Sequence, residues 1–280
     1  MTDSSMLIAG MLTAAAYFTA DTPAKTELRE LAELLYRRVD WHWAQDGGGN
    51  WNTTGTNWWN GSGNIAFING SAATFGSGSS AAGTVAIGGS DLVASGISFN
   101  AAGSGNYVIA NSGGQTLTIN SDGIMANVSA MVAVPTVLGV SQTWTVATGQ
   151  TLGVGKSSNP LSLGGNTLTL NGGGTLALAD GTLGDNNSGL ILNGSCLDLG
   201  ASSSTVGTVN IMAAASGGNN TIQNGSLTGS SYTASPSSGN AVITANLMGT
   251  GSLTMSGAGI LTLAGTNAYG GDTTVSGGTL

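Results

Sequence analysis

Charge is what this sequence has least of. Of 280 residues only 6% are Asp, Glu, Lys or Arg, against roughly 25% in ordinary soluble domains. Five basic residues and a net charge of −8 offer little to grip a phosphate backbone or an anionic lipid surface. Nucleic acid is therefore not an expected partner, nor is membrane insertion by this segment. The one cysteine, Cys196, excludes a disulfide framework and is expected to be an inert buried thiol. Catalytic signatures are missing as well. No histidine follows His42, there is no G-x-S-x-G elbow, and the many Gly-Ser strings lack the Lys-Ser/Thr ending of a phosphate loop.

The charges that exist are segregated. Residues 1–46 hold seven of the thirteen acids and four of the five bases, with one glycine. Residues 47–280 hold six Asp, one Lys and 47 glycines. Two kinds of chain meet near "WHWAQDGGGNW". The long segment is rich in Gly, Ser, Thr and Asn, yet its regularly placed Leu, Ile and Val argue for burial rather than disorder.

In the first segment, "MLIAGMLTAAAYF" has the length of a signal-peptide core, but no Lys or Arg precedes it. Leu7, Met11, Leu12, Ala15 and Phe18 sit at helical spacing instead. Thr22 and Pro23 read as a second helix start, and Leu28, Leu31, Leu35 and Val39 continue its stripe. Two amphipathic helices are expected. "SSMLIAGMLTAAAYF" and "TPAKTELRELAELLYRRVDWHW" resemble part of the glycoamylase-like domain, a toroid of paired helices that includes endo-acting β-1,2-glucanases. The resemblance covers residues 4–43 and carries no catalytic acid with it. His42 is expected to be structural.

From residue 47 the period becomes two. Leu117 and Ile119 share one face, as do Leu168 and Leu170, Leu176 and Leu178, and Leu261 and Leu263. Such alternation marks half-buried strands. Several end at Asn-containing corners, at Asn69, Asn120, Asn171 and Asn193, where Asn and Gly tolerate a left-handed backbone. Strands of four residues bury little as hairpins but much when stacked in coils. The expected fold is therefore mainly β, a parallel β-helix, with an antiparallel sandwich as the rival.

"GSLTMSGAGILTLAGTNAYGGDTTVSGGTL" resembles the autotransporter-associated β-strand repeat. Gly251, Leu253, Gly257, Gly259, Leu261, Leu263, Gly265, Asn267, Tyr269 and Gly271 occupy the motif's positions. "GGGNWNTTGTNWWNGSGNIAFINGSAATFG" resembles the Trp-rich entry to such passenger segments, and "SQTWTVATGQTL" an internal coil. The resemblance implies a right-handed parallel β-helix, displayed outside a bacterial cell or at its outer membrane.

The expected organisation is a helical segment 1–46, a Trp-rich cap and first coils 47–110, and repeats 111–280 whose open last edge invites self-association. Trp51, Trp58 and Trp59 are candidates for cap packing or for a glycan platform. Among the six Asp (91, 122, 180, 185, 198 and 272), Asp180 and Asp185 flank a turn and are the only candidate metal ligands, with turn formation the default. Lys156 has no evident partner, no catalytic residue is assigned, and no cofactor is expected. Asn-x-Ser/Thr triplets, as at Asn60 and Asn193, follow from composition. The expected function is a non-catalytic extracellular scaffold offering a polar surface to glycans or cell-surface components. The alternatives are a carbohydrate-active enzyme and an accidental join near residue 47.

Overall fold

The computed structural model describes residues 43–280, apart from 46, 61, 77–78, 112, 156–159, 180–181, 213–218 and 238. The expected helices before residue 42, His42, Lys156 and Asp180 lie outside the described residues. Of the chain's two compact units, the described residues belong to the one running from His42 to Leu280.

This unit is a parallel β-solenoid with no helix among its described residues. Its strands pair with their counterparts one coil away. Leu168, Leu190, Val209, Tyr232, Leu253 and Thr273 are successive partners on one sheet, at steps of 19 to 23 residues. Leu152, Leu176, Leu197, Ile222, Ile243 and Leu263 do the same on a second, at steps of 20 to 25. A third, shorter sheet comprises Ser203–Thr205, Ser226–Thr228 and Asn246–Met248. Earlier in the chain the same side is traced by Thr136–Leu138 and Leu161–Ser162, pairing back to Leu117. The coil is thus three-sided. Among the described residues, strands pair antiparallel only at the entry, where Trp58–Trp59 meets Asn64–Ile65 and Ala44 meets Trp59; outside the strands there is one antiparallel bridge, between Ala147 and Gly173. A face-to-face sandwich is excluded.

The alternation read from sequence is the burial pattern. Leu117, Ile119, Leu168, Leu170, Leu176, Leu178 and Leu261 are buried, while Thr118, Thr169 and Ala177 between them face outward. Each buried leucine contributes on the order of 2 kcal/mol, so these inward stacks dominate over the turns. Leu263 differs: it lies on the edge strand of its sheet and is half-buried.

The corners depart from expectation. After Asn69, Asn171 and Asn193 it is the glycine that takes the left-handed conformation, with φ of 89°, 100° and 76° at Gly70, Gly172 and Gly194. Asn224 alone among the described non-glycine residues does so. Asn120 is no corner, because Leu117–Ala126 runs on as one strand that bends at Gly123. Its partner Leu92–Phe99 bends alongside through a register shift between Ala94 and Gly96.

In the last coil glycine serves a different purpose. Gly251, Gly257, Gly259, Gly265 and Gly271 do not have left-handed φ. They lie against the backbone of the coil before. A Cβ on Gly259 would come 2.5 Å from the Gly239 carbonyl, and one on Gly251 2.7 Å from the Ser230 carbonyl carbon. Gly257 and Gly265 are closer still to Pro236 and Ala245, whereas Gly270 has 3.7 Å of clearance. Gly259→Ala and Gly265→Ala are therefore expected to loosen this coil by about 1–3 kcal/mol, the usual cost of overpacking, and Gly270→Ala to leave it nearly unchanged. Hydrogen exchange over Ser252–Met255 and Ile260–Leu263 measures both.

Candidate functional site: the aromatic cap and the polar corners

At the entry, strand alternation sorts the three candidate tryptophans. Trp51 and Trp58 point inward with no exposed surface, and Trp59, next along its strand, is 47% exposed. Trp51 packs 5.3 Å from Trp58, 5.2 Å edge-on to Phe67 and 5.5 Å edge-on to Phe75. Phe75 then stacks on Phe99 at 5.4 Å, and Phe75 and Phe99 both lie against Tyr107. These rings close the first coils. The indole nitrogens of Trp51 and Trp58 are buried without a hydrogen-bond partner. As glycan contacts Trp51 and Trp58 present no surface. Trp59 does, with Ile68 59% exposed nearby in sequence.

The loops flanking this cap explain two of the Asn-x-Ser/Thr triplets. Asn52 Oδ1 accepts the N–H of Thr54 (3.0 Å) and Gly55 (2.6 Å). Asn60 Oδ1 accepts those of Ser62 (3.0 Å) and Gly63 (2.9 Å), and each also accepts the intervening hydroxyl. Both are Asx turns closed by the asparagine side chain. At Asn193 the triplet's Ser195 is buried and donates to the Leu170 carbonyl, 3.0 Å away, in the neighbouring coil.

The carboxylates join coils. Asp91 Oδ1 accepts the Thr116 N–H at 2.8 Å. Asp185 accepts the N–H groups of Asn187 (2.9 Å) and, from the coil before, Gly165 (3.0 Å). Asp198 holds the Gly200 N–H (2.9 Å), Gln223 Nε2 (2.9 Å) and Asn224 Nδ2 (2.7 Å). For Asp185 the Asn187 N–H is the largest influence and lowers the pKa below the ordinary carboxylate value. For Asp198 burial raises it, but the bonds from Asn224, Gln223 and Gly200 together outweigh burial, so it too is lowered. Among the described residues no three of His, Cys, Asp and Glu gather as a metal site. Asp185 is placed as a turn residue.

Cys196 corrects the sequence reading. It faces outward from the second sheet, half-buried, because its neighbour Leu197 takes the inward position. Burial pushes its thiol pKa up.

Other polar residues that hold the coils together escaped sequence reading. Trp144 Nε1 donates to Gln142 Oε1 (2.8 Å), whose Nε2 reaches the Ile119 carbonyl one coil away. Asn267 Oδ1 accepts the Leu247 N–H (2.9 Å), and Asn246 Oδ1 the Thr266 N–H (2.7 Å). Tyr232 sends its hydroxyl between the carbonyls of Leu227 (2.8 Å) and Met248 (2.6 Å), and burial pushes its pKa up to about 12. Tyr269 lies 6.0 Å from Tyr232. The only sequence signal for these bonds is a polar residue recurring at about one coil's spacing, which irregular step lengths blur.

Against known families, the model described as Passenger-associated-transport-repeat matches residues 249–280. No curated protein and no solved structure matches the chain. The resemblance of residues 4–43 to the glycoamylase-like domain finds no support. The repeat, set on a parallel solenoid, fits an autotransporter passenger scaffold. In that repeat Asn267 and Tyr269 each engage the coil before, through Leu247 and Tyr232.

Two outcomes are expected. Trp58→Ala lowers stability by about 3–5 kcal/mol, as for other fully buried tryptophans, whereas Trp59→Ala stays within about 0.5 kcal/mol. Urea midpoints with near-ultraviolet circular dichroism read both. Because the folded pKa values of Asp185 and Asp198 lie below 3.8, their contribution is complete above that pH and is lost as pH falls below it. Melting temperatures at pH 7 and pH 3 differ less for Asp198→Asn than for the parent chain.

Proposed function

We propose that this chain is part of a bacterial passenger protein, secreted or held at the cell surface, whose solenoid acts as a stiff, non-catalytic display scaffold. The observation that carries this reading is the last coil. It matches the passenger-associated repeat over residues 249–280, and its glycines fit it against an existing coil. The bonding of Asp185 and Asp198 to neighbouring coils supports a structural use of carboxylates over a catalytic pair, which would need one acid free to exchange protons. The winding is right-handed, following the strong preference of parallel crossovers. An adhesive role rests on the polar outer faces, with Trp59 as the aromatic contact for glycans or other cell-surface components.

Protease shaving of intact producing cells, probed with an antibody to the solenoid, is expected to remove the antigen without lysis; full protection would overturn display. The purified chain, incubated with β-1,2-glucan and pectic polymers, is expected to release no products. Cleavage that disappears in Asp185→Asn or Asp198→Asn would replace the scaffold by an enzyme.

A further inference from the structure

Of the described aromatic side chains, only Trp59 is exposed. The hairpin that carries it is held firmly. Trp58, one position earlier, is anchored in the cap with no exposed surface. The turn is closed by the Asn60 N–H, which donates to the Gly63 carbonyl (3.1 Å), and by Asn60 Oδ1, which accepts from Ser62 and Gly63. Across the hairpin Trp59 pairs with Asn64. Directly opposed residues share a face, with Cβ atoms roughly 4.5–5.5 Å apart. Asn64 is exposed. Asn52, Asn57, Asn60 and Asn69 around it all engage backbone groups of the cap and first coils. The Asn64 amide makes no hydrogen bond to another described residue.

That pair supplies the two contacts a sugar ring makes best. A pyranose has an apolar face of axial C–H groups, and the negative face of an indole attracts those hydrogens while both surfaces shed water. Around its rim the sugar carries adjacent hydroxyls, each donor and acceptor. A primary amide sets a carbonyl oxygen and an NH2 group side by side, which matches two of them. No ionisable side chain occurs between residues 47 and 90, so the surrounding sequence carries no complement for a charged sugar. We propose that Trp59 and Asn64 form a subsite for one neutral hexopyranose unit of glucose configuration, whose equatorial hydroxyls leave the ring face clear. The sugar ring stacks on Trp59, and two vicinal hydroxyls bond the Asn64 amide. The subsite rests on the adhesive reading above, in which Trp59 is the glycan contact, and deepens it by naming the polar partner and the sugar class. Because the backbone under both side chains is already fixed, little ordering is needed when the sugar arrives. One ring and one amide bind weakly, and many displayed copies raise the avidity.

The test is saturation-transfer NMR on the purified 280-residue chain, titrated with methyl β-cellobioside at millimolar concentrations. Transfer is expected, strongest at the axial ring hydrogens of one sugar face. Asn64→Ala is expected to weaken binding about tenfold, the loss of one or two modest hydrogen bonds, and Trp59→Ala at least as much. Trp59→Phe keeps a smaller ring and is expected to lose less than Trp59→Ala. Val140→Ala, which removes an exposed apolar side chain outside the cap, is expected to change nothing. Trp59 and Asn64 are both exposed, so these variants are expected to keep the near-ultraviolet circular dichroism of the parent. Absence of transfer, or binding undiminished in Trp59→Ala or in Asn64→Ala, would overturn the subsite. So would a dimer of the parent chain that Trp59→Ala dissociates, since a second copy then covers the ring. Display is read by protease shaving, which involves no sugar, so a failed titration removes the subsite and leaves the scaffold standing.

Discussion

Parallel pairing of each coil with the one before fixes nearly everything else in this molecule. Once Leu168 lies beside Leu190 and Leu190 beside Val209, every neighbouring residue is assigned an inside or an outside position. A slip of one residue would carry a whole row of leucines into water. The register is therefore enforced by the core, and the side chains at the corners need only hold the coils together.

Among the described residues they do so without salt bridges between side chains. Asp91, Asp185 and Asp198 accept N–H groups, and Asn246 and Asn267 exchange bonds with backbone groups of each other's coil. A carboxylate that accepts two or three N–H bonds is stabilised in its charged form without any cation. Asp185 and Asp198 are held in this way, in a segment with six aspartates and a single lysine.

The strands were legible because alternation at period two is a local property: Leu176 and Leu178 declare their face without reference to any other coil. The parallel stacking was legible from strands too short to stand alone. What stayed hidden depends on the coil next door. Gly259 and Gly265 look like turn residues until the carbonyls of Gly239 and Ala245 are seen beneath them. Cys196 looks like a core thiol until Leu197 is found to occupy the inward position. Trp58 and Trp59 are indistinguishable in sequence, yet one is buried in the cap and the other faces water.

Each sheet passes on its pairing only to the next strand, so no described coil is held by a distant part of the chain. The molecule can therefore lengthen or shorten by whole turns of about twenty residues while its cross-section stays constant. Reach, not shape, is the quantity most easily altered by duplication or loss of a repeat.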